Sequence, residues 1–109
     1  MKKTLNKDLA TTVDNVRQWG IEKGITGTDG KATGASQFGK TVEETMELCE
    51  AIMADDLAEI KDAIGDITVT LILLSDLYGL AFEECLESVY EIISKRTGEM
   101  VDGVFVKDK

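Results

Sequence analysis

Apolar residues recur every three or four positions along four stretches of the chain, which is the period of a helix with one apolar face. The first stretch carries the stripe Leu5, Leu9, Val13 and Val16. Thr4 can cap the start of this predicted helix, and Gly24 can end it. The segment 24–39 holds five glycines among Thr, Asp, Ser and Lys. It predicts a flexible loop, either a plain connector or a mobile lid.

Three more helices are predicted after this loop. The second carries the apolar stripe Phe38, Val42, Met46, Cys49 and Met53. The third runs from about Asp56 to Tyr78, and from Ile67 onward it is apolar nearly all round, which predicts burial. The fourth stops near Gly98 and carries the stripe Phe82, Leu86, Val89 and Ile93. The tail 100–109 shows no clear period. The pattern predicts an all-α four-helix bundle, with residues 1–109 forming one domain.

The charge balance limits the possible partners. The formal net charge is −9 and the chain has no histidine. Such an acidic surface argues against a nucleic acid or an anionic membrane as a partner, and a polyanionic substrate would need an accompanying cation. The lack of histidine removes the Ser-His-Asp triad and every His-ligated metal site.

The two cysteines, Cys49 and Cys85, do not form a CxxC pair. Each lies on an apolar helical stripe, which predicts buried free thiols in a reducing compartment. Lys2 and Lys3 are followed by mostly polar residues rather than by the apolar core of a signal peptide, and no apolar run reaches membrane-spanning length. We therefore expect a cytoplasmic protein.

The candidate chemistry lies in carboxylates. Glu43, Glu44 and Glu47 share one face of the second helix. Taken alone, this spacing is more often a solvated acidic face, and Thr41 with Glu44 also fits a helix-capping box.

The third helix adds a second carboxylate set within a narrow arc, made of Glu59, Asp62 and Asp66. Because this helix is expected to be buried, such a set is costly without a partner. A divalent ion would satisfy it. Oxygen ligands without His or Cys suit Mg²⁺ or Mn²⁺, and Mg²⁺ commonly shares its coordination with substrate phosphates.

Two alternatives compete with a metal-dependent enzyme. Residues Gly34–Thr41 match the P-loop pattern GxxxxGK[ST]. A P-loop needs a buried strand before it, whereas residues 27–33 are typical of a loop, so we interpret the match as accidental. The other alternative is a non-catalytic helical oligomer that only binds partners through its acidic face.

Several collinear motifs resemble the MazG-like family of all-α nucleoside triphosphate pyrophosphohydrolases. The segment 43–47 matches the family's EExxE, and residues 62–67 (DAIGDI) are similar to its second acidic motif. Residues 95–106 (KRTGEMVDGVFV) resemble the tail of small, phage-type members, and Val16–Trp19 resembles their first helix. The resemblance runs from about Leu9 to the end of the chain.

The resemblance implies Mg²⁺-dependent cleavage of a nucleoside triphosphate between its α- and β-phosphates, in a homodimer or tetramer with sites built partly from the neighbouring subunit. Glu44, Glu47 and Asp66 would bind the metal, and Glu43 would orient or deprotonate the attacking water. The candidates for substrate binding are Trp19, which could stack on the base or belong to the core, and Lys40, Lys95 and Arg96.

One departure from the family concerns the fourth carboxylate. The position of the family's ExxD glutamate is Ala63 in this chain. Either Asp62 or Glu59 takes its place. The spacing favours Asp62, which lies one helical turn from Asp66, whereas Glu59 lies almost two turns away and would sit at the rim or serve a second ion. A second departure is Glu91, where relatives often have Asn.

Overall fold

Four helices and one β-hairpin make up the part of the chain that the computed structural model describes, residues 8–109. Their bounds are α1 Leu9–Glu22, α2 Gly34–Met53, α3 Leu57–Leu77, α4 Phe82–Ile93, β1 Gly98–Val101 and β2 Val104–Lys107. The all-α prediction is confirmed, with the hairpin as an addition. The cap predicted at Thr4 and the stripe position Leu5 lie outside the described residues.

Local signals explain three of the helix ends: the end of α1 and the starts of α2 and α3. Asp56 caps α3 by accepting a hydrogen bond from the Glu59 backbone N–H at 3.2 Å, and Gly24, just after α1, has a φ of 75° that favours glycine. The capping box of α2 is formed by Thr33 and Ser36. The predicted box of Thr41 and Glu44 is wrong, because both residues lie well inside α2.

The core lies between α2 and α3, which pack along most of their length, while α1 and α4 pack against α3. A short connection, residues 54–56, makes α2 and α3 antiparallel neighbours. The buried apolar side chains are Val13, Ala51, Ala63, Ile72 and Leu73. Among the described residues no single helix is long and apolar enough to cross a membrane; only the bent pair of α3 and α4 passes on length and composition.

The predicted apolar stripe of α2 does not face the core. Phe38, Met46 and Met53 are exposed, because the α2 face packed on α3 is a mixed one that includes Gln37 and Thr41. Both free cysteines are also exposed, so the prediction of buried thiols is wrong for the single chain. The apolar face of α2 that carries Cys49 has no neighbouring helix among residues 8–109, and most of the α4 face that carries Cys85 is exposed.

The burial expected for the α3 carboxylates is also wrong. Asp62, Asp66 and Glu59 are all exposed. They precede the apolar half of α3, and the buried residues of this helix are Ala63, Thr70, Ile72 and Leu73.

The C-terminal hairpin was not predicted from the sequence. β1 and β2 pair antiparallel, with Gly98 opposite Lys107 and Val101 opposite Val104. Asp102 and Gly103 form the two-residue turn, with φ values of 50° and 83°, as a type I′ turn requires. The Asp-Gly pair between apolar residues is a strong hairpin signal that could have revealed this element.

The loop between α1 and α2 is held by backbone hydrogen bonds. The N–H groups of Ile25 and Ala32 donate to Gly20 and Ile25, at 2.9 and 3.1 Å. Thr26 is buried. The loop therefore packs back onto the end of α1 and brings Ile25 and Ala32 to the wall of the cavity described below.

Candidate functional site

Three carboxylates of α2 converge on one point. Glu43, Glu44 and Glu47 each offer an oxygen atom, and these atoms all lie within 4.8 Å of one another. Glu43 and Glu47 are exposed, whereas the Glu44 side chain is only 12% exposed. The Oε2 atom of Glu44 is buried without a hydrogen-bond partner among the described residues. Burying a carboxylate oxygen without a partner is costly, so this position fits a bound cation.

The electrostatics of Glu44 lead to the same conclusion. Its pKa is raised above 4.5 by the neighbouring Glu47 carboxylate, by burial and by the charge of Glu43. Lys40 opposes this rise, since its ammonium lies 3.6 Å from Glu44. The same ammonium lies 3.3 Å from Glu43, whose hydrogen bond and charge raise the Lys40 pKa. Lys40 therefore neutralises only part of the charge that a metal ion would balance.

A cavity of about 600 Å³, here called the Trp19 cavity, opens beside these carboxylates. Its lining residues are Trp19, Ile25, Ala32, Ser36, Gln37, Lys40, Glu44, Asp66, Val69, Thr70 and Leu73. It brings together four candidates named from the sequence: Trp19, Lys40, Glu44 and Asp66. A second cavity, between α1 and α3, shares Trp19 and Asp66 and adds Asn15.

Glu47 lines a different cavity from Glu44. This acidic cavity, of about 400 Å³, is lined by Glu47, Glu50, Ala51, Ala54, Asp56 and Glu59. Glu59 is therefore the α3 carboxylate beside Glu47, and Asp66 is the one beside Glu44. Asp62 contributes to neither cavity, because it points about 100° away from the buried face marked by its neighbour Ala63.

Two candidate substrate-binding residues, Lys95 and Arg96, lie away from the carboxylate cluster. Lys95 and Arg96 follow the end of α4 and precede β1. Both are exposed, and neither lines the Trp19 cavity or the acidic cavity. The single chain therefore does not bring them to the glutamates.

The segment that matches a P-loop is a helix. Residues 34–41 form the first two turns of α2, and the residues before them are a loop. A P-loop would need these residues to wrap around phosphate after a strand. The interpretation of the match as accidental is confirmed.

The chain matches one known protein family. The model of the MazG nucleotide pyrophosphohydrolase domain matches residues 33–101. This is more than half of the chain, which therefore belongs to the MazG family. The match includes the glutamate cluster, both carboxylate-bearing helices and the first strand of the hairpin.

One relative is an uncharacterized 18.2 kDa protein from the rep-hol intergenic region of Haemophilus phage HP1 (strain HP1c1). It is 32% identical over 68 residues, which cover 62% of this chain and 40% of the relative. The chain thus spans less than half the length of this relative. No solved structure matches the chain.

Proposed function

We propose that this chain is a Mg²⁺-dependent nucleoside triphosphate pyrophosphohydrolase that cleaves between the α- and β-phosphates and releases a nucleoside monophosphate and pyrophosphate. The observation that carries the proposal is the carboxylate cluster, in which the unpartnered oxygen of Glu44 lies beside the side chains of Glu43 and Glu47. Membership of the MazG family supports the reaction class.

The cluster has the oxygen donors that Mg²⁺ or Mn²⁺ prefers. Glu44 and Glu47 would hold the ion from α2, and Asp66 from α3, which lines the same cavity as Glu44. Asp62 or Glu59 would supply a further carboxylate. When bound, the ion would neutralise phosphate charge and polarise the α-phosphorus. An anionic substrate could then approach a chain whose net charge is −9.

The remaining residues have roles that their positions allow. Glu43 is exposed at the edge of the cluster, where it would accept a proton as water attacks the α-phosphorus. The new bond joins the water oxygen to that phosphorus, and the bond to the bridging oxygen breaks, so pyrophosphate leaves. Lys40 would contact phosphate from α2, and Trp19 would pack against the base.

Self-association completes the proposal. We propose a homodimer or a tetramer, in which Lys95 and Arg96 reach the phosphates bound by a neighbouring copy. In a single chain the two residues lie outside both cavities, whereas the apolar surfaces of α2, α4 and the hairpin are exposed and available to cover one another.

The test is a screen of common ribo- and deoxyribonucleoside triphosphates with the purified full chain, with and without Mg²⁺. We expect monophosphate and pyrophosphate only when the metal is present. Release of diphosphate and orthophosphate would identify a γ-cleaving enzyme instead. If no triphosphate is turned over and Mg²⁺ gives no calorimetric binding signal, the non-catalytic helical oligomer is the better interpretation.

A pair of substitutions separates the carboxylate mechanism from a P-loop. Glu47→Ala should abolish Mg²⁺-dependent turnover, and Lys40→Ala should lower it far less. Lys40 adds one charge to the phosphate environment, whereas Glu47 belongs to the proposed metal site. Total loss in Lys40→Ala with a nearly silent Glu47→Ala would contradict the assignment.

A further inference from the structure

The side chain of Gln37 is unusual for its place in the molecule. It is only 6% exposed, although it is a polar residue on a helix. Its Nε2 donates a hydrogen bond to the backbone carbonyl of Thr70, at 3.2 Å across the α2–α3 interface. Because a carbonyl can only accept, this bond fixes which end of the amide faces Thr70.

The other end of the amide is an acceptor with no assigned partner. The Oε1 of Gln37 makes no hydrogen bond with residues 8–109, and it is not among the side-chain atoms that are buried without a partner. Gln37 lines the Trp19 cavity. The amide therefore presents a fixed carbonyl oxygen to this cavity, held by packing and by the bond to Thr70.

The Trp19 cavity changes in chemistry along its length. Glu44 and Asp66 mark one end, where the phosphates would bind with their metal. Gln37 lies seven residues before Glu44 on the same face of α2, about 10 Å along the helix axis. Near Gln37 lie Ser36, its neighbour on α2, and Thr70, its hydrogen-bond partner, and the cavity lining also includes the apolar residues Ile25, Ala32 and Leu73. Such a lining offers apolar surface to a flat ring and a few polar groups to its edge.

We propose that Gln37 is a specificity-determining residue that recognises the nucleobase, with its Oε1 accepting a hydrogen bond from an N–H group on the base edge. This inference rests on the proposed function, since phosphates at the carboxylate end direct the base toward Gln37. An acceptor that becomes covered when the ligand binds selects strongly against a ligand that lacks the donor, because the acceptor then loses water without gaining a partner.

Asn15 is the competing amide, because it lines the neighbouring cavity that shares Trp19 and Asp66. The geometry favours Gln37 for two reasons. Asn15 is exposed, so it is less restricted than an amide fixed by a carbonyl. Its cavity contains Asp66 but lacks Glu44 and Lys40, so it reaches only one of the two carboxylates at the phosphate end of the proposed site.

The experiment measures nucleotide binding through the fluorescence of Trp19, the one tryptophan of the chain. The probes are pairs of nucleoside 5′-monophosphates that differ by one N–H donor group, the exocyclic amine: AMP and purine riboside monophosphate, CMP and its 4-deamino analogue, and GMP and IMP. Each pair is titrated in Mg²⁺ into the wild type, Gln37→Met, Asn15→Leu and Gln18→Met. Gln18 is an exposed glutamine on α1 and provides the matched control.

We expect the wild type to bind the donor-bearing member of at least one pair about tenfold more tightly, and Gln37→Met to remove most of that preference. Asn15→Leu and Gln18→Met should keep it. A preference lost in Asn15→Leu, or kept in Gln37→Met, or absent from the wild type in every pair, would overturn the inference.

Since the pairs also vary the ligand on the unchanged protein, a folding defect in Gln37→Met, checked by circular dichroism, does not remove the test. Triphosphate turnover without a donor preference would reject the base contact alone, whereas failure of turnover and of all binding would reject the proposed function.

Discussion

The carboxylates of the candidate site differ in their surroundings more than in their chemistry. Glu44 is nearly buried, and the neighbouring Glu47 carboxylate raises its pKa. Glu43, one residue earlier, is exposed and pairs with Lys40. This difference suits two roles at one cluster, since a buried oxygen is satisfied by a cation and an exposed carboxylate is free to accept a proton.

Substitution can decide whether Asp62 or Glu59 supplies the further carboxylate of the proposed metal site. The sequence spacing favours Asp62, but Glu59 shares the acidic cavity with Glu47. We expect Glu59→Gln to lower Mg²⁺-dependent turnover by about 10- to 100-fold, in the range seen when a metal site loses a supporting carboxylate. Asp62→Asn should have the smaller effect. Steady-state rates measured over a Mg²⁺ titration report both changes.

Each of these two variants keeps the size of the side chain and removes one charge, so they control for one another. Melting temperatures close to that of the wild type would show that both fold. If Asp62→Asn abolishes turnover while Glu59→Gln leaves it intact, the spacing argument is right and the cavity argument is wrong.

At the scale of whole elements, the sequence predicts which segments are helical better than it predicts how they are rotated. The four helices and the Asp56–Tyr78 bounds of the third are confirmed. The apolar stripe of α2 was expected to be buried, yet Phe38 and Met46 are exposed. Periodicity identifies a face but not its partner, and a single chain offers no second copy. The pairing of Gln37 with Thr70 depends on helix rotation and could not be predicted.

The contact between α1 and α3 gives a stability prediction. A Cβ atom at Gly20 would lie 2.5 Å from Leu73 Cδ2 and 3.0 Å from Thr26 Oγ1, and Leu73 is fully buried. Overpacking costs about 1–3 kcal/mol, more than the ~1 kcal/mol that Ala gains over Gly in a helix. We expect Gly20→Ala to lower the free energy of unfolding.

Gly39 provides the matched control for this substitution. It lies inside α2, and a Cβ there would meet no atom within 4 Å. Gly39→Ala should therefore raise the free energy of unfolding by up to about 1 kcal/mol. Urea unfolding followed by circular dichroism measures both variants. Equal stabilisation by the two substitutions would show that α1 can move away from Leu73 without cost.

An ion-pair cluster joins α1 to α3 and α4. Arg17 pairs with Asp14 at 2.8 Å, with Asp76 at 3.4 Å and with Glu83. The hydrogen bond from Arg17 holds the pKa of Glu83 below its ordinary value of 4.5. Burial raises the pKa of Asp76, although Arg17 opposes the rise. Protonation in acid therefore removes a stabilising charge at Glu83, whereas at Asp76 it relieves the cost of burying a charge.

The sign of the Glu83 effect gives a pH prediction. Its lowered pKa means that ionised Glu83 stabilises the fold above its unfolded pKa, near 4.5, and that this stabilisation is lost as the pH falls through the lower folded value. Glu83→Gln should melt below the wild type at neutral pH, and the gap should close in acid. Glu84→Gln, in the same first turn of α4, controls for the helix dipole. A gap that stays constant with pH would contradict the Arg17 pairing.

At the scale of the whole molecule, the chain leaves too much apolar surface uncovered for a compact domain. The Cα radius of gyration is 16.3 Å, against about 13 Å for a compact domain of 100 residues. The helix α4 has no buried residue, and every residue of the hairpin is exposed. An isolated two-stranded hairpin is marginally stable in water. A second copy is the partner that the proposed function already requires.

The groove along α4 provides the test of assembly. Leu86, Val89, Tyr90 and Ile93 form one face, between 45% and 63% exposed, and line a cavity of about 670 Å³. We expect the wild type to be a dimer or a tetramer by light scattering at micromolar concentration, since such surfaces are normally covered. Val89→Asp places a charge in the middle of this face and should shift the protein toward monomer. Ser88→Asp adds the same charge almost opposite on the helix, so it should leave the assembly unchanged.

If Lys95 and Arg96 act on a neighbouring copy, Val89→Asp should also lose turnover in proportion to the monomer formed. A wild type that remains a stable monomer, or a monomeric Val89→Asp with full activity, would contradict the shared site.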